Sequence, residues 1–251
     1  MIQLNHNPRL FVDKILNQGA NFCLTKSQTH YVLNVMRLNF GDGILLFNGR
    51  DGEWVGLLET VDKKACLVVV KDQVRVQTVE PGPWLAFAPI KKLRTNFIIE
   101  KATELGVQHL CPVSTQNTNS IRIKSARMNM HAIEASEQCR RLTVPKIAQP
   151  KSLEEFLNWW PKGRRLFVLD ESGAGQPIVK ALEDLRLRSS GLFKDCGFLI
   201  GPEGGFAATE LEVFGKLDFV VSLDLGPHIL RAETAALSAM ACWQAFVGSN
   251  D

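Results

Sequence analysis

The chain has 251 residues, 45% of them hydrophobic and 22% charged, with a formal net charge of +3. That balance excludes a disordered chain and suits one large or two unequal domains with real cores. The longest nearly apolar stretch, residues 235–248, is interrupted by Ser238 and Gln244 and is too short to span a bilayer. The first ten residues lack the apolar run of a signal peptide, so a cytoplasmic protein with no membrane partner is expected.

Six cysteines (23, 66, 111, 139, 196 and 242) form no CxxC pair, and no two histidines have i, i+4 spacing. No metal site is expected, and the cysteines read as reduced packing thiols. Charge is uneven along the chain. Residues 81–165 hold 14 Lys/Arg against 6 Asp/Glu, whereas residues 166–251 hold 6 against 12. The basic middle third carries Lys91, Lys92, Arg94, Arg122, Lys124, Arg127, Arg140, Arg141 and Lys146. Solvated helix faces and a phosphate-binding surface for nucleic acid both fit such a run, and charge alone leaves the two open.

In chain order, a short helix is expected over residues 26–37. Strands follow around the Gly49 to Gly52 turn, then over 65–70 and 73–76, so residues 1–80 read as a small β-barrel. Val79-Glu80-Pro81-Gly82-Pro83 punctuates the chain and sets the boundary to a second domain, 81–251. There strands (84–88, 107–113, 166–170, 197–200, 219–223) alternate with helices (94–105, 127–142, 152–160, 178–185, 209–214, 232–246), and Gly106 caps the first helix. This is the pattern of an α/β layer with a largely parallel sheet, in which ligands gather at the carboxyl ends of strands.

Two loops follow such strands. Leu199-Ile200-Gly201-Pro202-Glu203-Gly204-Gly205-Phe206 has three glycines in five residues, but it is neither a P-loop nor a dinucleotide fingerprint. Leu223-Asp224-Leu225-Gly226-Pro227-His228-Ile229-Leu230-Arg231 leads into Ala232, Glu233 and Thr234, where a helix start can hold an anion. A tight turn and ordinary capping explain each loop as well as a ligand does. Together they suggest a cofactor gripped largely by main chain.

Five separated motifs then carry a resemblance over nearly the whole chain. They are Val32-Leu33-Asn34-Val35-Met36-Arg37-Leu38 with Gly41-Asp42; Lys101-Ala102-Thr103-Glu104-Leu105-Gly106; Glu134-Ala135-Ser136-Glu137-Gln138-Cys139-Arg140; and the two loops, the second extended by Ala235-Ala236. The sequence resembles the RsmE-type 16S ribosomal RNA uridine-N3 methyltransferases of the SPOUT superfamily. The resemblance implies a PUA-like barrel for RNA binding and an α/β methyltransferase domain with a C-terminal trefoil knot. It also implies a homodimer, S-adenosylmethionine as cofactor, and a uridine of small-subunit rRNA as substrate, with no DNA partner.

Carried over by motif, the cofactor residues are Leu199, Ile200, Gly201, Pro202, Glu203, Gly204 and Gly205 in one loop. Leu223, Leu225, Gly226, Ile229, Leu230 and Thr234 belong to the other, with Leu169 as a third wall. Arg231 is expected to steady the developing charge of the base and Glu203 to take its proton. Arg37, Lys91, Lys92, Arg94, Arg122, Lys124, Arg140 and Arg141 are the candidate RNA contacts. Ala232 stands where the family has threonine, His228 where arginine is common, and Asn34 where the barrel motif often has arginine. The alternatives are another SPOUT enzyme, methylating a ribose 2′-OH or a tRNA base, and a non-catalytic rRNA-binding assembly factor. The modified nucleoside separates the first, and cofactor binding the second.

Overall fold

The structure, a computed structural model, describes residues 7–61, 65–119, 124–171, 173, 175–188 and 195–247. The chain forms two compact units, Met1–Glu80 with Ser136–Val144, and Pro81–Ala135 with Pro145–Asp251.

In the first unit, β1 (Arg9–Phe11), β2 (Asn21–Cys23), β3 (Gly43–Phe47), β4 (Glu53–Val61) and β5 (Cys66–Arg75) form one sheet in the order β1-β3-β4-β5-β2. Only the β1–β3 pair is parallel. Alternation places Cys66, Val68 and Val70 of β5 in a core with Ile44, Leu46, Leu58 and Leu10. Helix α1 (Lys26–His30), which continues as a π-helical turn over Tyr31–Val35, adds Val32 to that core. A capping box starts α1: Gln28 N–H donates to Thr25 Oγ1 and Thr25 N–H to Gln28 Oε1. The two strands expected at 65–70 and 73–76 are a single strand, because a register shift between Trp54 and Gly56 lets β5 run past Lys71 and Asp72 and pair again at Gln73 and Arg75.

Residues 136–144, placed in the second domain by the linear reading, pack with the first unit. Arg9 is 8% exposed, pairs with Glu53 and lies 3.9 Å from the centroid of the Phe47 ring. Its guanidinium donates to the carbonyls of Ser136 (2.6 Å) and Arg141 (2.7 Å). Glu137 accepts from the Phe11 N–H, and Glu80 from the Leu142 and Thr143 N–H groups.

The second unit contains β6 (Trp84–Phe87), α2 (Lys92–Glu104), β7 (His109–Ser114), α3 (Ser125–Cys139) up to Ala135, β8 (Lys146–Ile147), β9 (Lys151–Ser152) and α4 (Leu153–Trp159). It continues with β10 (Arg165–Leu169), β11 (Gln176–Pro177), α5 (Ile178–Arg188), β12 (Cys196–Ile200), α6 (Ala208–Phe214), β13 (Val220–Asp224) and α7 (Ala232–Val247). The sheet runs β11-β13-β10-β12-β6-β7-β8, with β9 also on β7, and every pairing is parallel. All five residues of β12 are buried, as in a strand covered on both faces. Gly106, at φ +85°, ends α2 as its sequence position implies. At the amino ends of β6 and β7, Trp84 lies against His109 and Trp159. Burial beside Lys146 and Arg164 lowers the His109 pKa to about 4. Trp160 and Trp243 are core residues, whereas Trp159 is 42% exposed.

Replacing Arg9 by methionine leaves Glu53 as a buried carboxylate whose remaining cation among the described residues is the more distant Arg75. It is expected to destabilise the first unit by about 3–5 kcal/mol, measured by denaturant unfolding. Arg9→Met/Glu53→Leu is expected to recover most of that loss.

Candidate functional site

β10 lies between β12 and β13, and their carboxyl ends are level: Leu169 is in register with Ile200 on one side and Leu223 on the other. These three apolar residues floor a cleft of about 500 Å3, a size suited to a small-molecule site. Asp170, Glu171 and Gly173 and the loops 201–206 and 224–231 rise around it. The Gly205 N–H donates to the Pro202 carbonyl at 2.9 Å and closes a turn that requires φ +65° at Gly205. In the third loop the Gly226 N–H donates to Asp224 Oδ1 at 2.9 Å, an Asx turn.

Most of the residues expected at the site line this cleft: Leu169, Ile200, Gly201, Pro202, Glu203, Gly205, Leu223, Leu225, Gly226, Ile229, Leu230 and Arg231. Three expected cofactor residues do not. Leu199 points into the core with Val168 and Phe214, because strand alternation turns it away from Ile200's side. Gly204 faces Asn117, and Thr234 is exposed on the first turn of α7.

Sequence reasoning missed the loop after β10, where Asp170, Glu171 and Gly173 also line the cleft. A Cβ on Gly175 would lie 2.5 Å from the Leu223 carbonyl carbon, so this loop passes main chain against main chain at the end of β13. Two glycines, four and six residues after the end of β10, were the available signal. Asn117 was missed as well. Its Nδ2 donates to the carbonyls of Gly204 (3.0 Å) and Gly205 (3.2 Å), and nothing in its sequence neighbourhood marks that role.

Four charged side chains gather around α7's start and the 201–206 loop. Arg94 of α2 reaches Glu203 (Nη1 to Oε1, 3.7 Å) and Glu233 (Nε to Oε1, 3.4 Å). Arg231 is exposed at the cleft and makes no ion pair among the described residues. The expected RNA contacts divide. Lys91, Lys92 and Lys124 are exposed. Arg37 and Arg140 are exposed at positive φ, and Arg122 lies outside the described residues. Arg141 is a correction: it is 9% exposed and faces Glu80 at 3.5 Å, and burial lowers its pKa. It serves packing within its unit rather than the surface. Arg94, tied to two carboxylates, is likewise not a free surface cation.

Burial pushes the Cys111 and Cys196 thiols up to about 12, so both remain protonated near neutral pH. Among the described residues, no group of three or more His, Cys, Asp or Glu could hold a metal, and no helix is long and apolar enough to cross a membrane.

Comparison with known proteins gives consistent results. The sequence profile of an RNA methyltransferase domain matches residues 81–244, and that of an RNA methyltransferase PUA domain matches residues 24–71. The chain is 32% identical to ribosomal RNA small subunit methyltransferase E of Rickettsia conorii over 93% of both chains. Its identity to the Bacillus subtilis protein of the same name is 30%, over 90% of both. It is similar to a solved ribosomal RNA small subunit methyltransferase E from Neisseria gonorrhoeae bound to S-adenosyl methionine (TM-score 0.81, 27% identity, 96% of this chain and 98% of that one). A second similar structure is a Legionella pneumophila methyltransferase described as putative and holding bound SAM (TM-score 0.83, 26% identity, 95% and 97%).

Truncating Asn117 to alanine removes both hydrogen bonds to the 201–206 loop. A net loss of about 1 kcal/mol is expected to speed amide hydrogen exchange at Gly205 and Phe206 roughly fivefold, measured by mass spectrometry, with exchange in β6 unchanged.

Proposed function

This chain belongs to the ribosomal RNA small subunit methyltransferase E family, and we propose that it methylates N3 of a uridine in the decoding region of 16S rRNA within the small subunit. S-adenosylmethionine is the methyl donor. The observation that carries this reading is the cleft itself, with three glycine-bearing loops over the level ends of β12, β10 and β13 and Arg231 at its edge.

The residues present fit that cofactor. Leu169, Ile200 and Leu223 offer an apolar floor for a planar base. Gly201 and Gly205 bring main chain to the lining, and a Cβ would meet Phe206 at the first and Glu171 at the second. The carboxylates of Asp170, Glu171 and Asp224 line the same cleft and suit hydroxyl and ammonium groups. Bound there, the cofactor supplies a methyl carbon activated by a sulfonium.

The protein's own part is to position and to manage one proton. Uridine N3 carries a hydrogen that must leave as the nitrogen attacks, and negative charge then spreads to O2 and O4. Arg231 stabilises that charge and orients the base in line with the methyl carbon. Glu203 takes the proton. Lys91, Lys92, Lys124, Arg140 and, in the PUA-like unit, Arg37 contact RNA phosphates. A closed barrel in the first unit, a trefoil knot at the C-terminal end and a homodimer complete the reading.

Incubation with methyl-labelled S-adenosylmethionine and small subunits lacking the modification is expected to label 3-methyluridine. Label in a ribose-methylated nucleoside would replace the reading with ribose methylation. Arg231→Ala is expected to lower kcat about 100- to 1,000-fold while leaving cofactor Kd within about threefold. Replacing Lys91 and Lys92 by alanine is expected to flatten the salt dependence of RNA binding by roughly 0.7–0.9 log units for each phosphate that is no longer neutralised.

A further inference from the structure

The cluster at the start of α7 contains more carboxylate than Arg231 can serve and remain available. Glu233 is 13% exposed, and its Oε2 is buried with no hydrogen-bond partner. A carboxylate in that position demands a cation. Arg94 supplies it across α2 and α7, and the same guanidinium reaches Glu203 on the 201–206 loop. Arg231 stands two residues before Glu233, shares the cleft lining with Glu203, and makes no ion pair among the described residues.

We propose that Arg94 is a positioning residue that holds the Glu203 and Glu233 carboxylates and thereby leaves the Arg231 guanidinium free to face the reacting base. The inference rests on the role given above to Arg231. It also replaces the sequence-based assignment of Arg94 as a phosphate contact. Two edges of one planar guanidinium serve two carboxylates from different elements, whereas an ammonium presents a single point charge. Without Arg94, Glu233 is left buried and unpaired two residues from Arg231, and pairing with it withdraws Arg231 from the cleft. The energetic driving force is the cost of leaving that carboxylate buried alone.

The test is a double-variant cycle in the full-length protein. Arg94→Gln is expected to lower kcat by about tenfold or more, the scale of loss from a misplaced group. Cofactor Kd is expected to stay within about twofold, and the salt dependence of RNA binding unchanged. Arg94→Gln/Glu233→Gln is expected to recover most of the lost kcat, because a neutral amide does not capture Arg231. Arg94→Lys is expected to fall between wild type and Arg94→Gln. A salt slope flattened by roughly 0.7–0.9 log units would make Arg94 a phosphate contact and overturn the proposal. So would a kcat loss that Glu233→Gln does not relieve.

Thermal unfolding of the same variants needs no activity. The double variant is expected to melt above Arg94→Gln alone, since it no longer buries an unpaired charge, and additive destabilisation would overturn the proposal. If the wild-type protein methylates no uridine, the functional reading fails separately, and the melting cycle still decides the Arg94–Glu233 linkage.

Discussion

The site depends on three neighbouring parallel strands that end at one level. Because β10 sits between β12 and β13, with Leu169 in register with both Ile200 and Leu223, their three following loops leave the sheet at one place. There is little room for side chains where these loops meet, and the glycines follow from that crowding. Gly175 abuts the main chain of Leu223, and Gly205 turns beneath Glu171 at a φ that favours glycine. A ligand entering the cleft therefore meets an apolar floor and main-chain walls, with carboxylates and a guanidinium only at the margins. Such a surface suits a cofactor held by shape and hydrogen bonds.

Much of the second unit was legible because its strands are buried on both faces and read as short apolar runs between helical patterns. β12 and β10 came through with boundaries shifted by a single residue. The loops of 201–206 and 224–231 announced themselves through glycine and proline directly after strands. The loop at 170–175 carried the same signal more weakly, and only Leu169 was drawn from it. β1 and β2 are three residues long, too short for alternation to show. Chemistry was legible only by resemblance, since the first loop taken alone read rather as a plain tight turn and the second also fitted helix capping with a surface ion pair.

What stayed hidden are the features that depend on residues far apart in sequence. Nothing local marks residues 136–144 as part of the first unit. That placement rests on Arg9, whose guanidinium reaches carbonyls 127 and 132 positions away. Asn117 is one polar residue among several after β7, yet it holds two carbonyls of a loop 87 and 88 positions on. Arg140 and Arg141 are indistinguishable as a sequence pair. In the fold the first is exposed at φ +62° and the second is buried against Glu80. A one-residue step in backbone direction separates a surface cation from a structural one.

The same distinction changes the meaning of the basic middle third. Arg94 is taken up by Glu203 and Glu233, and Arg141 by Glu80. Arg164 is held by Asp195 and the Cys196 carbonyl, and lies over the Trp84 ring. In each case a flat, forked cation meets several acceptors or an aromatic face inside its own unit, a geometry that arginine fits and lysine does not. The exposed Lys91, Lys92 and Lys124 are left to present charge outward. A count of basic residues therefore overstates the positive surface available to RNA. Part of the cationic excess is spent ordering carboxylates, and around the cleft that ordering leaves Arg231 as the cation without an internal partner among the described residues.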